Sequence, residues 1–270
     1  KSFFKEPRPF WLDASLQRGP ATSFSFPSGH AQSSAVVFGG LAYLAARSPR
    51  RIVARVVAAV LLALLVALIS LSRVYLGVHF PGDTLIGMLA GLMVLAVYVH
   101  VKPRLGPVLA RLSLPTHVLL ALLSGIAILG IHSLGLIVQI AARPAAEELV
   151  IAGRLAAQHE TGSLAGVVIG LWLGLVVENR YVRFAIAGTF SQRLLRYLGG
   201  GATSGLIFLV LSALAALAPA DVPVLSLALL VIRYAITVFW AFAAWPWVFV
   251  RLRWAVSERE NGRTGEEENR

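Results

Sequence analysis

Seven apolar blocks, most of them long enough to cross a bilayer as helix, alternate with short clusters of arginine along this chain. A spanning helix needs about 20 predominantly apolar residues. The blocks run over about 29–46, 52–71, 81–101, 115–138 and 162–177, then to about 218, then to about 251. Only 14% of the 270 residues are charged and 57% are hydrophobic, whereas a soluble domain carries roughly 25% charged residues. The expected fold is therefore an all-α, polytopic membrane bundle. A net charge of +11 could suggest nucleic acid. Its basic residues, however, sit between the apolar blocks, which makes them a topology signal and excludes a nucleic-acid partner. There is no cysteine, hence no disulfide and no thiolate metal site.

The arginine clusters at 47–55, 102–111, 180–196 and 251–253 fall at alternate connections. By the positive-inside tendency that side is cytoplasmic. The connections holding Ser28 and His79, the less apolar segment Glu147–Glu160 and the loop around Asp221 then face outward. Residues 1–29 are rich in aromatics beside Lys and Arg, a composition suited to the lipid headgroup level. Gly162, Gly166, Gly170 and Gly174 recur every four residues, leaving one helix face bare for close packing. Arg233 lies about ten residues into the last block, so it is expected to face protein or water, with Glu178 or a polar cavity as its partner, or to snorkel. Trp240, Trp245 and Trp247 around Pro246 read as an interfacial belt with a kink. His100, His117, His132 and His159 have no partners at ligand spacing and read as packing or interface residues. The polar residues 257–270 read as a disordered cytoplasmic tail.

Chemistry concentrates near the start. Pro27, Ser28, Gly29 and His30 precede the first apolar block, and Ser72 and Arg73 close the second. His79 follows after five residues and Asp83 after three more, with Pro81 between them; Lys1 stands six residues before the pair Arg8–Pro9. Two histidines, a carboxylate and several cations are what phosphoryl transfer without a metal requires. Lys1, Arg8 and Arg73 supply positive charge for phosphate oxygens, with Lys5 close by, and arginine adds two-pronged geometry. Ser28 and the Gly29 amide sit at a helix N-terminus, where unpaired N–H groups attract anions, and glycine there lets phosphate approach the backbone. His79 is the candidate nucleophile, oriented through one ring nitrogen by Asp83. His30 is the candidate general acid for the leaving oxygen. No compact carboxylate cluster suggests a metal, and no cofactor is implied.

The three blocks, Lys1…Arg8-Pro9, Pro27-Ser28-Gly29-His30 and Ser72-Arg73…His79…Asp83, resemble the signature of the type 2 phosphatidic acid phosphatases. That superfamily also contains vanadium haloperoxidases and acid phosphatases. The resemblance implies phosphate binding by Lys1, Arg8, Ser28, Gly29 and Arg73, acid catalysis by His30, attack by His79 and orientation by Asp83. It covers residues 1–103, a phosphatase-like core; residues 104–256 carry none of the motifs and read as an added membrane domain. In the family, membrane helices precede the first motif. The chain opens at Lys1 inside that motif, so upstream helices are expected to be missing.

The implied activity is metal-independent hydrolysis of a membrane lipid phosphate or diphosphate at the outer face. Phosphatidic acid, phosphatidylglycerol phosphate and a polyprenyl diphosphate are the candidate substrates, the last slightly favoured by outer-face chemistry. The expected location is a bacterial inner membrane, with the site toward the periplasm or exterior; a homo-oligomer is compatible with the sequence. A lipid phosphotransferase would use the same residues with a hydroxyl acceptor. A non-catalytic lipid-phosphate binder or transporter would have no use for the full catalytic set, and haloperoxidases are soluble.

Overall fold

A computed structural model describes residues 1–49, 51–138, 145–186, 188–219 and 222–255, and their regular structure is helical. Arg50, the loop around Asp221 and the tail from Ser257 lie outside the described residues. A one-turn helix α1 (Pro9–Leu12) and a 3₁₀ turn (Ala14–Leu16) interrupt the irregular start. The long helices are α2 (Gly29–Ala46), α3 (Ile52–Tyr75), α4 (Pro81–Arg111), α5 (Leu114–Ile137), α6 (Glu147–Val177), α7 (Phe190–Ala215) and α8 (Pro223–Phe239). A π-helical turn (Trp240–Ala244) joins α8 to α9 (Trp245–Arg251).

Six helical stretches, rather than seven, are long and apolar enough to cross a membrane among the described residues: Ile52–Tyr75, Pro81–Arg111, Leu114–Ile137, Glu147–Val182, Phe190–Ala215 and Pro223–Arg251. The exception is α2, whose first two turns carry His30, Gln32, Ser33 and Ser34. Side chains such as Val53, Leu61 and Leu68 stand exposed along α3, as lipid-facing residues must. The chain is an integral membrane protein.

Two helices run further than their apolar blocks. Helix α6 starts at Glu147, so the segment to Glu160 is helix, not loop. Its residues are mostly good helix formers, and Glu147 and Glu148 in the first turn suit the positive end of the helix dipole. Helix α4 continues through Pro103 and Pro107 to Arg111. Each proline removes one helical hydrogen bond, but residues 102–111 are almost all exposed, where freed carbonyls can meet water.

The described chain forms two compact units. The first comprises Lys1–Arg111 and His132–Gln158. Here α2 packs against α3 and α4. Small residues on α4 allow it: a Cβ on Gly87 would come within 2.5 Å of the Ser28 carbonyl, and one on Gly91 would collide with the Gln32 carbonyl. The aromatic start of the chain is half-buried, with Phe24 as its anchor. Phe24 is wholly buried, Trp11 packs edge-on to it, and Gly153 of α6 leaves room for both rings. Ser2 bonds His132 at 2.8 Å and Lys5 donates to the Leu136 carbonyl, which ties the same segment to the end of α5.

The second unit comprises Leu112–Ile131 and His159–Arg270. The glycine stripe of α6 is used as its spacing suggests. Cβ atoms on Gly166 and Gly170 would collide with the Val231 and Ala235 carbonyls of α8. Pro246 lacks the N–H that would continue the helix, and the π turn just before it absorbs the mismatch. Trp245 is buried and bonds the Arg196 carbonyl, and Trp240 bonds Thr203, so these two are packing residues rather than a belt. Trp247 alone of the three is exposed. Arg233 donates to Ser212 at 3.1 Å and lies over the rings of Phe208 and Tyr234. Its partners are a hydroxyl and two aromatic faces, not Glu178.

Candidate active site

Three chain segments meet at one end of the first unit: the stretch Lys1–Pro27, the start of α2, and the α3–α4 connection. The Ser28 amide donates to the Asp83 carbonyl at 3.0 Å, which sets the first turn of α2 against the first turn of α4. Ser28 is wholly buried and caps α2, its hydroxyl accepting from the Ala31 amide. The connection Leu76–Phe80 reverses sharply at Gly77, whose φ of 69° favours glycine. A Cβ there would also collide with the Leu16 carbonyl.

His79 hangs from this connection and is 3% exposed. Its Nδ1 lies 3.4 Å from Asp83 Oδ2 and 3.2 Å from Ser25 Oγ. Ser25 in turn donates to Asp83 Oδ2, which also accepts the Phe80 amide at 2.9 Å. The opposite ring nitrogen, Nε2, faces Arg8 Nη1 at 3.5 Å. Burial holds the His79 ring below the ordinary histidine pKa; its bond to Asp83 opposes that, and the Arg8 and Lys1 charges add to it.

Arg8 is fixed from behind. Its Nε donates to the Ser23 carbonyl and its Nη1 to the Val78 carbonyl at 2.6 Å. Lys1 Nζ donates to Ser23 Oγ at 3.0 Å. Ser23 thus gathers Lys1 and Arg8 at one point, while Lys5 turns away to α5. Arg73 ends α3 with its Nε buried and making no hydrogen bond within the protein. Arg55 and Arg233, away from the site, leave Nε in the same condition, so it is the place of Arg73 beside His30 and His79 that makes it a candidate for phosphate. His30 is exposed at the second residue of α2, close enough to Arg73, His79, Lys1 and Arg8 for each to act on its charge. Nothing in the protein lies within 4 Å of where a Gly29 Cβ would stand. Packing therefore does not demand glycine there.

The structure thus brings all eight residues singled out by spacing to one end of one unit. It also adds Ser23 and Ser25, which nothing in their spacing marks. Their only signal is that they are hydroxyl residues flanking Phe24 in a run that buries itself. Beside His79 lies a cavity of about 340 Å³ lined by Pro9, Leu16, Val74, Phe80 and Pro81, with Arg18 and Tyr75 also on its wall. Among the described residues no three His, Asp or Glu side chains converge as metal ligands would.

Residues 1–107 match the PAP2 superfamily, and residues 162–257 match the PAP2 superfamily phosphatase, transmembrane extension. A curated protein, phosphatidylglycerophosphatase B of Bacillus subtilis (strain 168), is 40% identical over 73 residues, which is 27% of this chain and 36% of that protein. The chain thus spans about a third of the length of the curated relative it matches. No solved structure matches.

Proposed function

Because this chain belongs to the PAP2 superfamily, we propose that it releases phosphate from a membrane lipid phosphate or diphosphate through a covalent phosphohistidine. The observation that carries this reading is the buried Asp83–Ser25–His79 cluster, whose other ring nitrogen, Nε2, faces the Arg8 guanidinium. His79 Nε2 attacks phosphorus, forming the P–N bond as the P–O bond to the leaving group breaks. His30 gives its proton to the leaving oxygen. Water then attacks the phosphohistidine, His30 takes the water's proton, and orthophosphate departs. Lys1, Arg8, Arg73, Ser28 and the Gly29 amide hold the equatorial oxygens in both steps. The cavity beside His79 has room for the part of the substrate beyond the phosphate.

The relative's name brings phosphatidylglycerol phosphate to the front of the candidate substrates, ahead of phosphatidic acid and a polyprenyl diphosphate. The site opens at the end of α3 opposite Arg51 and Arg55. With those arginines cytoplasmic, it faces the exterior. Single cysteines test this without background, since the chain has none. An impermeant thiol reagent on intact cells should label position 147 and spare position 193; the reverse pattern overturns the orientation.

The function itself is tested by phosphate release from a panel of these lipids in detergent. Activity should survive EDTA and be inhibited by vanadate, which takes up the trigonal-bipyramidal shape of the transferring group. Loss of activity on chelation, restored by magnesium, overturns the mechanism. Phosphoryl transfer to an added lipid alcohol in place of water would make the protein a phosphotransferase.

A further inference from the structure

In the phosphohistidine mechanism His79 attacks and Asp83 orients it, yet the direct link between them is poor. Nδ1 and Oδ2 are 3.4 Å apart, beyond the 2.7–3.2 Å of a good N–H···O bond. Ser25 Oγ lies beside both, closing a triangle with them, 3.2 Å from Nδ1 and in close hydrogen bond to Oδ2. A serine hydroxyl has one proton and can accept more than one bond. Asp83 Oδ2 already accepts the Phe80 amide at 2.9 Å, so it is an acceptor here and the serine proton goes to it. The oxygen of Ser25 must then accept from Nδ1–H. That choice of tautomer leaves Nε2 unprotonated, and Nε2 is the nitrogen facing Arg8 Nη1.

Ser25 is itself immobilised. It is wholly buried, its amide donates to the Glu6 carbonyl at 2.9 Å, and the rings on either side are packed, Phe24 against Trp11 and Phe26 against Phe4. A hydroxyl held this firmly has little freedom to donate to the histidine instead. We propose that Ser25 is a positioning residue that relays the Asp83 carboxylate to His79 and thereby fixes the nucleophilic tautomer. This rests on the phosphohistidine reading, in which His79 attacks through Nε2.

The experiment combines kinetics with a measurement that needs no turnover. In the full chain, Ser25→Ala should lower kcat by about 30- to 100-fold, as loss of a well-placed proton-directing group does, with KM changed less than about 2-fold because the group does not touch substrate. In an Asp83→Ala background the same substitution should cost less than about 3-fold, since the two act as one unit. Restoring the hydroxyl with Ser25→Thr should recover part of kcat. A Ser25→Ala kcat within about 3-fold of wild type, or a full multiplicative loss in the Asp83→Ala background, overturns the proposal. Independently, imidazole nitrogen-15 spectra of the wild-type protein, with His79 assigned by His79→Gln, should show Nδ1 protonated and Nε2 bare, and a mixture in Ser25→Ala. The opposite tautomer in the wild type overturns it as well. If wild type hydrolyses none of the lipids, the functional reading falls, and the spectra still decide whether Ser25 sets the tautomer.

Discussion

The two units use the same device for opposite ends. In the first, Gly87 and Gly91 let α4 approach the start of α2, and what the approach brings together is Ser28 and Asp83. In the second, Gly166 and Gly170 let α6 approach α8, and what meets is apolar helix surface. Their cations differ in the same way. Arg196 is occupied by the Gln192 and Ala185 carbonyls and the ring of Phe249, and Arg233 by a hydroxyl and two rings. Arg8 is tethered by carbonyls too, but its Nη1 also faces the His79 ring; the buried Nε atoms of Arg73 and Arg233 alike make no hydrogen bond within the protein, so what separates these cations is the imidazole beside Arg8. Burying a charge among aromatic faces and carbonyls holds helices together. Aiming it at an imidazole prepares a site for an anion.

The largest test of this contrast is His79→Ala. Removing the nucleophile should lower phosphate release by more than about 1,000-fold with the protein still folded. Turnover at a tenth of the wild-type rate would show that another group attacks. Next comes Arg73→Lys, expected to reduce kcat/KM by about 100-fold, because a point charge cannot replace a two-pronged contact to phosphate oxygens. Near-normal activity would make Arg73 an interface anchor, no different in kind from Arg233. For that comparison, Arg233→Leu should leave kcat per folded molecule unchanged.

What could be read before the fold was known follows from where the information lies. The eight candidate residues occur at intervals that recur as a family signature, so order and spacing are enough to list them as candidates. Ser25 and Ser23 were not legible, because each matters only through what the folded chain sets beside it, a histidine fifty-four residues away and a lysine twenty-two away. The start of α6 was missed because apolarity marks the spanning part of a helix and not its polar extension. Helix α2 reads as one of seven spans, but its polar first turns leave it less apolar than the six stretches that qualify among the described residues. Trp240 and Trp245 were placed at an interface by residue type. Tertiary packing against α7 decided otherwise.

A matched pair of glycine substitutions sharpens the contrast further. Gly87→Ala would drive a methyl toward the Ser28 carbonyl, and Gly170→Ala would do the same to the Ala235 carbonyl. Both should destabilise by about 1–3 kcal/mol, as overpacking does. Only Gly87→Ala should also lower kcat per folded molecule, by about 10-fold, since it displaces Ser28 from Asp83. An equal kcat loss in Gly170→Ala would mean that the second unit takes part in the chemistry.

The smallest effect concerns pH. In the proposed mechanism His79 attacks as the neutral imidazole, so activity should fall when it is protonated, which means as pH drops through its pKa. Burial lowers that pKa, the Arg8 and Lys1 charges lower it further, and the nearby Asp83 carboxylate only partly opposes them. The acid limb of kcat/KM, corrected for titration of the lipid phosphate itself, should therefore lie below the ordinary histidine value of about 6.5. Asp83→Asn removes the opposing influence, so its residual activity should show a limb displaced to still lower pH. A limb above the ordinary value in the wild-type enzyme would mean that His79 is charged in the resting site. The cations of the first unit would then serve to bind phosphate without preparing the nucleophile, and the difference between the two units would narrow to one of ligand access.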